Sequence, residues 1–224
     1  MKGRDALTVC LATLCLFIVG TAEVCALQLG QLPADEYIDQ MDGVRRIEGL
    51  MVDDIIAALE LKPGDVIADM GSGSGIFTVA MASAVGPTGT VYAVDIDQQM
   101  LDFVVDRTRS QGFTNVIPVL GEYDDPSLPV QDVDFAFYHR TLHMIEHRQA
   151  HLNATAKYMA PDGRIVVVEQ GREITRDWMW LEREHVDQWL AAMSFYPAKV
   201  VEGIERRWFV IYQRPYGDHM LPGR

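Results

Sequence analysis

The sequence predicts an α/β protein in which a mostly parallel, doubly wound sheet is covered by helices on both faces. Short apolar segments alternate with amphipathic segments of helical spacing along most of the chain. A glycine-rich turn follows the first of these apolar segments, and no helix separates the last two. Alternating strands and helices build a parallel sheet, whereas two strands joined by a tight turn pair antiparallel.

The first half of this pattern begins with a helix. Residues 45–61 carry apolar side chains at helical spacing, and Lys62-Pro63-Gly64 ends that helix. The elements predicted after it are strand 65–70, helix 75–85, a turn at 86–89, strand 90–95, helix 97–111 and strand 115–120.

The second half continues the alternation and closes with a hairpin. Pro161-Asp162-Gly163 predicts a turn immediately before a strand. The predicted elements are strand 133–138, helix 146–159, strand 164–169, helix 182–193, and strands 199–204 and 208–213.

Composition and charge exclude several classes of protein. The 224 residues are 49% hydrophobic and 23% charged, which excludes a disordered or collagen-like chain. Lys and Arg number 19 against 32 Asp and Glu, so the net charge is −13. A surface this acidic repels phosphate backbones, and we expect no nucleic-acid partner.

The first 26 residues predict an export signal. Lys2 and Arg4 precede an uncharged apolar stretch over residues 6–20, and Val24-Cys25-Ala26 resembles a cleavage site. The alternative is an uncleaved anchor over residues 5–20, and the protein contacts a membrane only in that case. Either way the positive end stays inside, so we expect a periplasmic or secreted domain. The predicted division is a signal at 1–26, a polar lead-in at 27–44 and one domain at 45–224.

The three cysteines, Cys10, Cys15 and Cys25, all lie within the predicted signal. A chain cleaved after it has no thiol. The sequence therefore excludes a cysteine nucleophile and cysteine-ligated zinc for the mature domain.

The glycine-rich turn indicates a nucleoside ligand. Asp69-Met70-Gly71-Ser72-Gly73-Ser74-Gly75 follows the first strand and opens a helix. Glycines allow a tight turn and close approach of a ligand to the backbone. Asp95 ends the next strand, where a carboxylate can accept hydrogen bonds from both hydroxyls of a ribose.

The glycine spacing distinguishes between nucleosides. A nicotinamide fingerprint has two residues between its second and third glycines, whereas a single residue, Ser74, separates Gly73 from Gly75. An acid at the start of the turn, Asp69, suits a ligand with an ammonium group better than a pyrophosphate. S-adenosylmethionine has an ammonium, a sulfonium and a ribose, and no phosphate. A nicotinamide oxidoreductase is therefore the poorer hypothesis.

These motifs together resemble those of class I S-adenosylmethionine-dependent methyltransferases. Asp69-x-Gly71-x-Gly73-x-Gly75 matches the first motif of that family, and residues 91–97 resemble the second. Gly121-Glu122 resembles the Gly-Asp that reaches the adenine, residues 132–138 the fourth-strand motif, and residues 159–164 the turn before the fifth strand. The similarity spans residues 45–214.

The resemblance implies both a topology and a set of binding residues. The family's sheet order is 3-2-1-4-5-7-6 with strand 7 antiparallel, which agrees with the terminal hairpin. S-adenosyl-L-methionine is then the methyl donor. The residues implied in its binding are Asp69, Gly71, Ser72, Gly73, Gly75, Asp95, Ile96, Glu122 and Tyr123.

The methyl acceptor is expected beyond the end of the fourth strand. Phe137-Tyr138-His139-Arg140 stands where related enzymes that methylate nucleic-acid bases have Asn/Asp-Pro-Pro-aromatic, so a small-molecule acceptor is favoured. His139 and His143 are the candidate catalytic acids or bases, because imidazole titrates near neutral pH. Four histidines fall at four-residue spacing: His139, His143, His147 and His151. His139 should end a strand, so only His147 and His151 share a helix face. We therefore predict no metal site.

The predicted export and the predicted donor are in tension, because S-adenosylmethionine is made in the cytosol. The alternative to an enzyme is an exported, non-catalytic protein that binds S-adenosylmethionine or another nucleoside. Neither the acceptor nor the oligomeric state can be read from the sequence.

Overall fold

A seven-stranded sheet organises the chain in the computed structural model, in which residues 34–43, 48–172 and 180–215 are described. Its order is β3-β2-β1-β4-β5-β7-β6. β7 runs antiparallel to β5 and β6, and the other pairs are parallel. The predicted fold class, strand order and antiparallel seventh strand are confirmed. The strands are β1 Val66–Met70, β2 Thr90–Asp95, β3 Val116–Leu120, β4 Val133–His139, β5 Met159–Gln170, β6 Tyr196–Val200 and β7 Arg207–Gln213.

Six α-helices accompany the sheet within the described residues. Asp97 caps one of them, because its carboxylate accepts a hydrogen bond from the Gln99 N–H at 2.8 Å. A 3-10 turn, Leu142–Met144, follows β4. The helices are α1 Ala34–Met41, α2 Val52–Leu59, α3 Ile76–Val85, α4 Gln98–Ser110, α5 Arg148–Tyr158 and α6 Arg183–Ala191.

The alternation of side chains along each strand divides the core between the two faces of the sheet. Ile67 and Val91 belong to the cluster that holds Ile55 of α2 and Phe77 of α3. The strand residues that alternate with these, such as Ala68, point to the other face of the sheet. They belong to the cluster that contains Leu152 of α5 and Val186 of α6. Fully buried parallel strands read as continuous apolar runs, which is why β1, β2, β4 and the second half of β5 are predicted close to their observed positions.

The N-terminal part differs from the prediction. The predicted polar lead-in, 27–44, contains helix α1. In the described part of the predicted helix 45–61 the chain is not continuously helical, because Met51 adopts the left-handed conformation (φ 55°) where α2 begins and Glu60 adopts it (φ 57°) where α2 ends. The predicted signal and the start of the lead-in (1–33) and residues 44–47 lie outside the described residues.

Strand β5 begins earlier than predicted. The pairs Val133–Met159 and Phe135–Arg164 enclose four residues, 160–163, on β5 but only Asp134 on β4. The predicted Pro161-Asp162-Gly163 turn is therefore an irregularity inside the strand. A proline is tolerated there because no ladder hydrogen bond is required of it.

The edge strand β6 also lies earlier than the predicted 199–204. It spans Tyr196–Val200, and the chain then turns through Gly203 (φ 85°) and Arg206 (φ 60°). The strand ends at Val200, so the apolar residues Val201 and Ile204 belong to the connection.

Within the described ranges, the longest and most apolar helices still fall short of the length and hydropathy needed to cross a membrane.

Candidate active site

The glycine turn lies at the carboxyl end of β1 and is held against β2. The N–H groups of Gly71 and Ser72 both donate to the Val94 carbonyl, at 2.8 and 2.9 Å. Gly71, Gly73 and Gly75 have φ values of 74°, 52° and 77°. Residues that carry a side chain rarely adopt this backbone conformation, so the sequence Gly-x-Gly-x-Gly permits the chain to reverse here and enter α3.

Bare backbone in this turn leaves room for neighbouring segments. A Cβ on Gly71 would lie 2.5 Å from Thr141 Cγ2, and one on Gly73 would lie 2.7 Å from Met41 Cε. The turn is therefore in close contact with the segment after β4 and with the end of α1. Neither Thr141 nor Met41 is among the predicted site residues.

Asp95, at the end of β2, faces the turn. Its Oδ2 accepts a hydrogen bond from the Gly73 N–H at 3.0 Å, and its Oδ1 accepts one from the Asp97 N–H at 3.1 Å. Burial raises the pKa of Asp95, and hydrogen bonds from backbone N–H groups oppose that rise. Each carboxylate oxygen has a second lone pair, so this fixed group can also accept from a ligand.

A cavity of about 410 Å³ opens beside Asp95 and is lined by Ile96 and by the four residues 121–124. The Gly121 N–H donates to the Asp95 carbonyl at 2.9 Å, which fixes the two strand ends relative to each other. Ile96 is 53% exposed and Tyr123 is 69% exposed. Three of the predicted binding residues, Ile96, Glu122 and Tyr123, therefore line one opening, and two of them present apolar surface to it.

Asp69 lies one residue before the end of β1 and is buried. The Thr78 hydroxyl donates to its Oδ2 at 2.5 Å. Burial raises the pKa of Asp69 to about 7, the Thr78 hydrogen bond opposes the rise, and the charge of Asp95 adds to it. A positively charged ligand would favour the ionised form.

The glycine turn also contains a buried side-chain oxygen without a partner. Ser72 Oγ is buried and lacks a hydrogen-bond partner among the residues described, although buried hydroxyls are normally satisfied. It lies in the turn, between the glycines whose missing side chains leave the backbone open. A ligand hydroxyl or amine beside Asp95 would supply the missing polar contacts.

His139 ends β4, as predicted, and its ring packs against aromatic side chains. The ring centroids of His139 and Phe77 are 4.4 Å apart, and the ring lies nearly parallel to that of Phe137 at 6.3 Å. It therefore lies beneath the start of α3, close to the glycine turn.

His143 lies in the 3-10 turn after β4 and pairs with Glu169 at the end of β5. Its Nδ1 is 2.9 Å from Glu169 Oε2, and its backbone N–H donates to Oε1 at 3.3 Å. Glu169 is fully buried. Arg148 braces the turn, since its guanidinium donates to the carbonyls of Leu142 at 2.8 Å and His143 at 2.7 Å.

Glu169 is absent from the predicted site. The signal that could have found it is the residue type itself, because Glu is almost never fully buried without a partner and this one directly follows the apolar run Ile165–Val168. Among the residues described, no group of three or more His, Cys, Asp or Glu side chains is arranged to hold a metal ion.

A second contact missed by the sequence analysis joins α1 to the glycine turn. Arg107 of α4 forms an ion pair with Asp42 at 2.8 Å and donates to the Ser74 carbonyl, also at 2.8 Å. The residues just after α1 are thus bound to the same arginine as the turn.

Comparison with known proteins identifies the family. A family model described as a methyltransferase domain matches residues 61–209. An uncharacterised 37.1 kDa protein from a Streptomyces fradiae transposon is 31% identical over 176 residues, which are 76% of this chain and 46% of that protein. A demethylmenaquinone methyltransferase of Lactobacillus johnsonii is 31% identical over 113 residues, 50% of this chain and 46% of the other. The chain spans less than half the length of these relatives.

Solved structures share the fold. A SAM-dependent methyltransferase from Aquifex aeolicus superposes with a TM-score of 0.72 at 22% identity, over 81% of this chain and 98% of the other. A TehB-like SAM-dependent methyltransferase from Corynebacterium glutamicum superposes with a TM-score of 0.62 at 12% identity, over 81% of this chain and 97% of the other.

Proposed function

Because the chain belongs to the methyltransferase-domain family of class I S-adenosylmethionine-dependent methyltransferases, we propose that it transfers a methyl group from S-adenosylmethionine to a small-molecule acceptor. The observation that carries the proposal is the joined arrangement of turn, carboxylate and cavity. Asp95 is held by the Gly73 N–H at 3.0 Å, and the cavity lined by Ile96 and residues 121–124 opens beside it.

The donor would be held by the residues around this cavity. Asp95 would accept hydrogen bonds from the ribose hydroxyls, and the exposed apolar surfaces of Ile96 and Tyr123 would cover the adenine, with Glu122 near its edge. Asp69 would supply negative charge near the turn, and Gly71, Ser72, Gly73 and Gly75 would form its floor. When bound, the donor supplies a methyl group on a positively charged sulfur, which leaves as a neutral thioether.

The chain's own contribution to methyl transfer is mainly proximity and orientation. The acceptor would bind beyond the ends of β4 and β5, where His143 and His139 are the candidates for taking its proton. Similarity to a demethylmenaquinone methyltransferase supports a small acceptor, and a net charge of −13 disfavours a nucleic acid.

Calorimetric titration of the full chain with S-adenosylmethionine, and separately with NADH, tests the proposal. We expect micromolar binding of the former and none of the latter. Tight binding of NADH, or of neither compound, would overturn it.

We propose in addition that the domain is exported through residues 1–26. The support is the sequence pattern of two cations, an uncharged apolar stretch and a small-residue site. Fractionation of cells that express the chain, with N-terminal sequencing of the product, tests this. A cleaved periplasmic or secreted product is expected, an uncleaved membrane-bound product indicates the anchor, and a cytosolic product contradicts both.

A further inference from the structure

We propose that Glu169 is a positioning residue that makes His143 a general base, and that the acceptor is a phenolic hydroxyl whose proton His143 takes. This inference rests on the proposed function. It names two things that the family assignment leaves open: the group that removes the acceptor's proton, and the class of acceptor that needs it.

The burial of Glu169 requires a reason. A fully buried carboxylate is costly unless it is hydrogen-bonded or paired, and Glu169 directly follows the apolar run Ile165–Val168 of β5. Its two oxygens contact two groups of one residue, the ring Nδ1 of His143 at 2.9 Å and the His143 backbone N–H at 3.3 Å. The carboxylate therefore fixes both the position and the orientation of this imidazole.

The pairing also selects the form of the ring that can act as a base. A carboxylate only accepts hydrogen bonds, so Nδ1 carries the proton and Nε2 keeps its lone pair. When Nε2 takes a proton, the buried carboxylate stabilises the imidazolium, as the acidic member of a catalytic triad does. The His143 side chain is 3% exposed, so bulk water has little access to it.

The His143–Glu169 pair lies next to the glycine turn. β1 and β4 are neighbours in the sheet, with Met70 opposite Tyr138. Thr141 then closes over Gly71, 2.5 Å from where a Cβ would lie, and His143 follows two residues later. Arg148 holds the carbonyl of His143 at 2.7 Å, so this segment is braced from both sides.

A base of this kind limits the acceptor. Thiolates and neutral amines attack a sulfonium methyl without losing a proton first, whereas a hydroxyl is a weak nucleophile until it does. Free imidazole has a pKa of about 6.5 and a phenol such as tyrosine about 10, a gap that transfer during the reaction can bridge. The phenol oxygen forms a bond to the methyl carbon as the carbon–sulfur bond breaks, and the electron pair of that bond stays on sulfur. The phenolic proton passes to His143 Nε2, which releases it to water after the methylated product has left.

Matched acceptors test the proposal. The full chain, His143→Gln and Glu169→Gln would be assayed with phenol, 4-nitrophenol and thiophenol, with methylated products measured by mass spectrometry. We expect both variants to lower kcat for phenol by about 10²-fold or more, to lower it less for the more acidic 4-nitrophenol, and to change thiophenol methylation by less than about threefold. The control is His185→Gln, which alters an exposed histidine of α6 and should leave all three rates unchanged.

Each other outcome overturns the proposal. Equal losses for phenol and thiophenol would show that the pair is merely structural. Donor binding without methylation of either phenol or 4-nitrophenol would contradict the proposed acceptor class. Failure to bind the donor at all would instead contradict the proposed function. Because Glu169→Gln changes a fully buried side chain, donor binding by calorimetry is used to verify that each variant is folded. Glu169→Asp should recover part of the phenol rate.

A spectroscopic measurement tests the positioning role without turnover. The ¹⁵N chemical shifts of the neutral His143 ring should show protonated Nδ1 and unprotonated Nε2. Glu169→Gln should produce a mixture of the two tautomers, because an amide can donate as well as accept. An unchanged tautomer in that variant would contradict the role of Glu169.

Discussion

The two sides of the sheet's carboxyl edge are built differently. The proposed donor side, at the ends of β1, β2 and β3, is positioned mainly by backbone hydrogen bonds. Gly71 N–H binds a β2 carbonyl, and Asp95 is fixed by two backbone N–H groups nearby. The proposed acceptor side, at the ends of β4 and β5, depends on a contact between side chains, that of His143 with Glu169.

This difference indicates which of the two sides can change its chemistry by substitution while the fold is kept. On the proposed donor side, backbone hydrogen bonds fix the Asp95 carboxylate and the glycine turn, so we expect few substitutions to be tolerated there. An acceptor site made of side chains can change its chemistry while the fold stays the same. The predictions below test whether the two sides are as separate as they look.

The largest effect is expected from Asp95→Ala on the donor side. It removes a charged acceptor for two ribose hydroxyls, each bond contributing about 1.5–3 kcal/mol. Donor affinity measured by calorimetry should fall by about 10²–10⁴-fold. Asp106→Ala should leave it unchanged. An unaltered affinity in Asp95→Ala would mean that the cavity beside Asp95 does not hold the donor.

The same contrast explains what the sequence alone predicts. The turn at Gly71–Gly75 and the acid at Asp95 are separated by a fixed strand–helix–strand unit, so their spacing in sequence determines their spacing in space. Glu169 is 26 residues from His143, and their pairing depends on how β4 and β5 align. Periodicity within one element carries no information about that alignment.

Two errors in the predicted elements have the same origin. The helix predicted over 45–61 satisfies helical spacing throughout, yet Met51 takes a left-handed conformation that ends the pattern. Helix α1 has only eight residues, and the contact after it joins Asp42 to Arg107, 65 residues away in sequence. In both segments, tertiary contacts determine where the helix lies. The helix propensity of a single segment is too weak to predict that position.

Titration of Asp69 should give the next largest effect, on stability. Burial raises the pKa of Asp69 to about 7, above the value of about 3.9 for an unfolded chain. The folded state therefore binds more protons between these values, and this group's contribution to stability falls as pH rises from about 4 to about 7. The full rise in pKa corresponds to about 4 kcal/mol.

Asp69→Asn isolates that contribution. Its free energy of unfolding should match that of the unmodified chain near pH 4 and exceed it by up to about 4 kcal/mol above pH 8, measured by urea denaturation across the range. Asp106→Asn, at an exposed site, provides the control. A difference from the unmodified chain that does not vary with pH would show that the acid at this turn is not held neutral by burial.

A smaller effect on stability is expected where the two sides touch. Gly71→Ala puts a Cβ 2.5 Å from Thr141 Cγ2 at a φ of 74°, and overpacking costs about 1–3 kcal/mol in addition to about 1 kcal/mol for left-handed backbone. Chemical denaturation should therefore show a loss of about 2–4 kcal/mol. Gly112→Ala is the matched control, because its φ is 84° and its Cβ would meet no described atom within 4 Å. An equal loss in both variants would show strain without contact between the sides.

The smallest effect, and the sharpest test of separateness, is the coupling between Asp95 and Glu169. β2 and β5 are three strand spacings apart in the sheet, about 14 Å at the usual spacing of about 4.8 Å. Residues that far apart usually act additively, within about 0.5 kcal/mol. Donor affinity in Asp95→Ala, Glu169→Gln and the double variant should therefore show no larger coupling energy. A coupling energy above about 1 kcal/mol would mean that the His143–Glu169 pair influences the glycine turn through Thr141, which links the ends of β4 and β1. The proposed acceptor side would then also affect donor affinity.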